Sequence, residues 1–232
     1  MQETAPSSLP AEGQLLARDR WISLAECALG TFLVIGHNVF HVVANEVPFL
    51  FLLFWLSAVI RKGLWSAAAL KKPDSWLKTA WMAIAAAAVL QLGSEFIIQP
   101  LANHFFGGPE NVSSALNIPV HNWKVALRSL AIVWIFAGFG EEIGYRGYLL
   151  TRAADLGNRS KAAYVVAMLY VAILFGFAHF YKGPAGVMDS TYSGLVLGGV
   201  YLLSGCSLWA AILAHGLSDT FAVFVIFMGW AK

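Results

Sequence analysis

Apolar residues in this chain fall into seven long runs separated by short polar breaks. A helix needs about 20 apolar residues to cross the hydrocarbon of a bilayer. The runs Trp21–Ala44, Val47–Trp65, Trp76–Ile98, Val125–Leu150, Ala162–Phe180, Ser193–Leu203 and Leu208–Trp230 reach or approach that length. Arg61 and Lys62 shorten the second run, and the sixth is shorter still, so it is tilted, re-entrant or longer than its apolar part. The pattern predicts an all-α fold: a polytopic transmembrane bundle of about seven helices, with six or eight as alternatives. Tryptophans near the run ends (Trp21, Trp65, Trp76, Trp123, Trp209, Trp230) fit an aromatic belt at the membrane interfaces.

Composition agrees with the pattern. Hydrophobic residues make up 59% of the 232 and charged residues 12%, about half the charge of an ordinary soluble domain. A net charge of +2 with no basic stripe gives no reason to expect a nucleic-acid partner. Cys27 and Cys206 form neither a C-x-x-C pair nor a disulfide framework. Residues 1–20 read as a polar tail and 21–232 as a single transmembrane domain. The first run is too long for a signal-peptide core of roughly 7–15 residues, so it reads as a retained helix.

Loop lysines and arginines set the expected orientation. Arg18 and Arg20 lie before the first run. Arg61, Lys62, Lys71, Lys72 and Lys78 follow the second, and Arg152, Arg159 and Lys161 follow the fourth. The stretch Gln99–Trp123 has no lysine or arginine, although Lys124 and Arg128 come soon after it. The expectation from these charges is an integral membrane protein with a cytoplasmic N-terminus and, for seven spans, an external Lys232.

Ionisable side chains inside membrane helices cost roughly 2.5–3.5 kcal/mol each on insertion scales, so each needs a partner or a purpose. Three clusters stand out. In Glu141-Glu142-Ile143-Gly144-Tyr145-Arg146, neighbouring carboxylates point about 100° apart on a helix and cannot share a task. Glu142 and Arg146 are four apart in the favourable order for an ion pair, which leaves Glu141 free. Burial and a nearby cation act oppositely on the proton affinity of such a carboxylate, and a balanced one can take a proton from water. In Phe175-Gly176-Phe177-Ala178-His179, the ring and the imidazole sit one turn apart. In His215-Gly216-Leu217-Ser218-Asp219, Asp219 shares a face with His215 and can orient it, or both can ligate a metal. Bracing of the bundle is the competing reading of each cluster taken alone.

Taken together, a carboxylate, two histidines and a further polar group on three helices supply what amide hydrolysis needs. Glu141 activates water, and the histidines share the proton or stabilise the tetrahedral oxyanion. The other solution is Zn²⁺ held by His179, His215 and Glu141, which would acidify bound water. H-E-x-x-H is absent, so no standard zinc motif supports it, and no cofactor is the favoured reading.

In these residues the sequence resembles the CPBP family, which comprises the CAAX prenyl endopeptidases and the Abi bacteriocin-processing intramembrane proteases. That family's pattern is E-E-x-x-x-R, then F-x-x-x-H, then H-x-x-x-N or D, and the three clusters follow it in order over about residues 125–230. The resemblance implies a glutamate-dependent, possibly metal-dependent intramembrane endopeptidase of a bacterial cytoplasmic membrane, acting on a membrane-associated peptide or protein. Glu141 and His179 would activate water, His215 and Asp219 would line the oxyanion side, and Glu142, Arg146 and Phe175 would support the site. Asp219 stands where the family often has Asn. An ionised carboxylate cannot donate a hydrogen bond, so Asp219 is protonated, orients His215, or binds a metal.

Other polar residues support rival readings. His37, His41, Asn38, Asn45, Glu46 and Glu95, joined to the later clusters, would make a proton or ion pathway of a transporter, although no two-half repeat is evident. A non-catalytic immunity or assembly protein is a third reading. Depth also raises a tension. Glu141 is about 14 Å above Leu150, whereas His179 is about 27 Å above Lys161, at 1.5 Å per residue. Extension of the fourth helix toward Asp155 would close much of that gap.

Overall fold

The computed structural model describes residues 17–61, 70–107 and 118–230. The expectations for residues 1–16, Lys62, Trp65 and Lys232 fall outside them. Seven helices make up the described residues: α1 (Ala17–Asn38), α2 (Glu46–Ile60), α3 (Trp76–Phe106), α4 (Trp123–Asp155), α5 (Lys161–Phe177), α6 (Gly183–Leu203) and α7 (Leu208–Phe227).

Side-chain oxygens start several of them by accepting from an otherwise unpaired backbone N–H. Asn45 accepts from Val47, Ser75 from Lys78, Asn122 from Val125 and Ser160 from Ala163. Between α5 and α6 the chain makes one 3₁₀ turn, Phe180–Lys182, and leaves it through Gly183 at φ +73°, a conformation open to glycine at little cost.

The bundle is apolar outside as well as inside. On α3 the buried positions Thr79, Ala83, Ala86 and Leu90 recur at helical spacing, while Leu77, Trp81, Ile84, Val89 and Leu92 are exposed. A soluble monomer does not display continuous apolar faces of this kind; a lipid-facing helix must. Three helices, α3, α4 and α7, are long and apolar enough to cross a membrane, and α5 with α6 passes as a pair bent by 58°. The protein is a helical membrane bundle.

Helix boundaries differ from those of the apolar runs for physical reasons. The sixth helix is not the short Ser193–Leu203 run but spans 21 residues from Gly183. Its first half carries Asp189 and Ser190, which line an internal cavity and so interrupt the apolar run without interrupting the helix. The fourth helix does continue to Asp155, so Glu141 stands about 21 Å above its end and the mismatch with His179 shrinks to about 6 Å. The first ends at Asn38 rather than Ala44, and His41 follows with a positive φ of 54°.

Small residues allow close helix contact, as in membrane bundles generally. A Cβ on Gly194 of α6 would lie 2.8 Å from the Ala172 Cα of α5. Gly194→Ala should therefore force the two helices apart at a cost of about 1–3 kcal/mol. A thermal midpoint in detergent below that of the wild type checks this; an unchanged midpoint contradicts the packing.

Basic residues gather at the end of the bundle that holds the start of α1. There the fully buried Asp155 accepts from Ser23 Oγ (2.9 Å) and Arg159 Nε (2.6 Å), with Arg152 at 3.2 Å and Arg61 at 3.8 Å. Arg61 also donates to Glu26 at 3.0 Å. This network joins α1, the exit of α2 and the foot of α4.

Candidate active site

Within α4, residues Val133–Leu150 are π-helical, with i→i+5 bonding that widens the helix. A Cβ on Gly140 would lie 3.4 Å from Phe51 and 3.8 Å from Val47 of α2, and one on Gly144 3.6 Å from Leu50. Between those contacts the helix turns Glu141, Glu142 and Arg146 inward.

Glu142 and Arg146 are both fully buried. Arg146 Nη1 donates to Glu142 Oε1 at 2.9 Å, and Nη2 reaches the Gly194 carbonyl at 3.4 Å. The same Glu142 oxygen accepts from His215 Nδ1 at 2.8 Å, across 73 residues of sequence. Because a carboxylate accepts, Nδ1 of His215 carries its hydrogen and Nε2 is left toward the cavity. Nε2 faces Asp219 Oδ2 at 3.8 Å, longer than a hydrogen bond. So His215 is oriented by Glu142 rather than by Asp219, the partner suggested by the i, i+4 spacing.

Phe175 is the packing centre. The Arg146 guanidinium lies 4.5 Å from its ring centroid, and the rings of Tyr145, His179 and His215 surround it at 5.1, 4.8 and 6.1 Å. A desolvated cation over an aromatic face contributes about 2 kcal/mol. His179 follows the end of α5, and its Nδ1 donates to the Phe175 carbonyl at 3.0 Å, leaving Nε2 unengaged. Behind α7, Trp134 Nε1 donates to Thr220 Oγ1 at 3.1 Å, and its ring lies where a Cβ on Gly216 would be.

Glu141, His179, His215 and Asp219 all line one cavity of about 400 Å³. Glu141 Oε2 is buried without a hydrogen-bond partner. In a low-dielectric interior such an oxygen is costly unless water or a ligand meets it. Its neighbour Glu142 also has a buried, unpartnered Oε2, but its Oε1 is engaged twice.

Part of the cavity wall is not evident from the charged clusters. Gln91, Ser94 and Gln99 of α3 line it, and so do Lys182 and Asp189. Gln91 Nε2 donates to Ser218 Oγ at 2.7 Å, and Ser94 Oγ donates to Asp189 Oδ1 at 2.5 Å. Uncharged amides and hydroxyls inside an apolar run are the available signal. The residues behind the pathway reading lie elsewhere. His37 faces Glu46 at 3.5 Å between α1 and α2, Glu95 and His41 are exposed, and none of the four lines the cavity. Among the described residues no group of three or more His, Cys, Asp and Glu side chains is arranged to hold a metal ion, so Glu141, His179 and His215 share a cavity without forming a ligand cluster.

Residues 123–221, less than half of the chain, match the family model described as type II CAAX prenyl endopeptidase, Rce1-like. This segment is similar to the CAAX prenyl endopeptidase (CPBP) family. The match begins with α4 and ends two residues beyond Asp219, so it takes in all three clusters that line the cavity. No curated protein and no solved structure matches the chain. The likeness is to a family of proteases, and the apolar helices make this an integral membrane protein.

Proposed function

We propose that the protein is an intramembrane endopeptidase that hydrolyses a peptide bond of a membrane-associated peptide or protein through water activated by Glu141. The observation that carries this reading is the contrast between the adjacent carboxylates. Glu142 is tied through Oε1 to Arg146 and His215 and does not line the cavity, whereas Glu141 lines the cavity that both imidazoles share and its buried Oε2 has no partner.

Glu141 and the free Nε2 of His179 hold the water between them. Glu141 takes its proton as the oxygen attacks the scissile carbonyl carbon. The carbonyl oxygen, now an oxyanion, lies toward His215 and Asp219. To donate through Nε2 as well as Nδ1, His215 carries both hydrogens, and Glu142 and Asp219 supply the counter-charge. This is how a carboxylate at position 219 serves the oxyanion side without donating itself. Glu141 then passes its proton to the leaving amine, the carbon–nitrogen bond breaks, and the carboxylate is regenerated. The basic end of the bundle faces the cytoplasm of a bacterial membrane in this reading.

The test is mass-spectrometric detection of cleavage by the purified full chain in lipid nanodiscs, using a randomised peptide mixture with and without a chelator. Cleavage that persists in chelator is expected; loss that zinc restores would assign Glu141, His179 and His215 to a metal instead. Asp219→Asn should retain most of the activity, because the amide can donate to the oxyanion where the carboxylate supplies counter-charge to His215. Asp219→Ala should lose about 100-fold, as for removal of an oxyanion-side group. Equal activity of both variants would remove Asp219 from the reaction. Proton flux in liposomes without cleavage would favour a transporter.

A further inference from the structure

The cavity is more polar than water activation requires, and it contains a lysine with no task in the reaction above. Lys182 sits in the 3₁₀ turn joining α5 to α6, three residues after His179, and lines the cavity. Among the described residues it has no ion-pair partner. Asp189, which lines the same cavity, is instead bound by Ser94. The fold makes room for the lysine stem: a Cβ on Gly186 would lie 2.1 Å from Lys182 Cβ and 3.3 Å from its Cδ. Hydroxyls and amides from α3 and α6 line the same cavity, among them Ser94, Gln99 and Ser193. Gln91, Ser94 and Gln99 lie outside the family-matched residues 123–221.

An ammonium held in a partly enclosed, hydroxyl-lined cavity attracts an anion more strongly than one in water does. Glu141, Asp189 and Asp219 share the cavity with Lys182, but none comes within 4.0 Å of its ammonium. A peptide substrate brings one anionic group of matching size, a carboxylate, either at its C-terminus or on an acidic side chain.

We propose that Lys182, with the polar wall of α3, forms a recognition subsite for a substrate carboxylate, making Lys182 a specificity-determining residue. This rests on the endopeptidase reading only for the identity of the ligand as a peptide. The ammonium pairs with the carboxylate while Gln91, Ser94 and Gln99 receive the polar groups around it, which fixes the register of the peptide across Glu141.

The experiment uses the purified full chain in nanodiscs and randomised decapeptides made as free acids and as C-terminal amides, with and without an internal Glu. Cleavage by wild type should favour carboxylate-bearing peptides by about tenfold or more, the size expected for a charge-assisted hydrogen bond. The preference should be carried by KM. Lys182→Met should lose it with little change in kcat, Lys182→Arg should keep it, and Lys182→Glu should reverse it toward amidated or lysine-bearing peptides. The free-acid and internal-Glu sets separate the two sources of the carboxylate. Retention of the same peptides on immobilised Glu141→Gln protein, with and without Lys182→Met, reads binding apart from cleavage. Carboxylate-dependent retention without wild-type cleavage would uphold the subsite and sink the protease reading. Unchanged selectivity in Lys182→Met, or no carboxylate preference in either assay, would overturn the proposal and leave the protease reading standing.

Discussion

Replacing Glu141 by Gln is expected to lower peptide cleavage by a factor of about 100 to 10,000, the range for loss of a general base, without lowering the thermal midpoint. The amide keeps the size of the side chain and can still bind water, but it cannot accept the proton. The unpartnered Glu141 oxygen makes the carboxylate a burden on the fold rather than a support, so the midpoint should hold or rise slightly. Glu142→Gln should give the opposite profile. It weakens the bonds to both Arg146 and His215, so stability and activity fall together. If both variants lost activity only through unfolding, the division of labour between the two glutamates would be wrong.

Arg146→Met is expected to produce the largest loss of stability of any single change at the site, about 3–5 kcal/mol. That is the cost of stranding one member of a buried ion pair. Arg146 is fully buried, as is the Glu142 it would leave behind, and its guanidinium also packs on Phe175. Pairing it with a second change separates charge from packing. Glu142→Gln with Arg146→Met removes both charges, and replacing a buried pair by neutral groups is often close to neutral. Most of the lost midpoint should return in the double variant while cleavage stays low, because His215 lacks its charged acceptor. Detergent-based thermal unfolding and peptide cleavage on the same preparations read both. A double variant no more stable than Arg146→Met alone would contradict the ion-pair account.

Much of the site is legible in the chain because membrane helices tolerate few ionisable groups. Glu141, Glu142, Arg146, His179, His215 and Asp219 stand out against apolar neighbours, and their spacing within each helix tells which pairs share a face. Spacing does not tell what a neighbouring helix supplies. His215 and Asp219 share a face of α7, yet the group that holds the imidazole is Glu142 on α4. Helical spacing puts the Phe175 ring beside His179, but its contact with Arg146 depends on how α4 meets α5.

The polar wall is hidden for a different reason. Gln91, Ser94 and Gln99 carry no charge, so they barely interrupt the hydropathy of α3. The first half of α6 fails the apolar criterion because it faces a polar cavity rather than lipid. In both cases the side chains serve an internal cavity, whereas hydropathy measures fitness for lipid contact. The helix count is readable because the outward faces do meet lipid.

The account depends most on whether the bond to be cut sits beside Glu141. An experimental structure of Glu141→Gln in nanodiscs with an uncleaved peptide tests this directly. The expected result is a scissile carbonyl carbon roughly 3–3.5 Å from a water held by the substituted amide and His179, a reactive distance, with the carbonyl oxygen toward His215 and Asp219. A peptide bound outside this cavity, or one whose scissile bond faces away from residue 141, would contradict it.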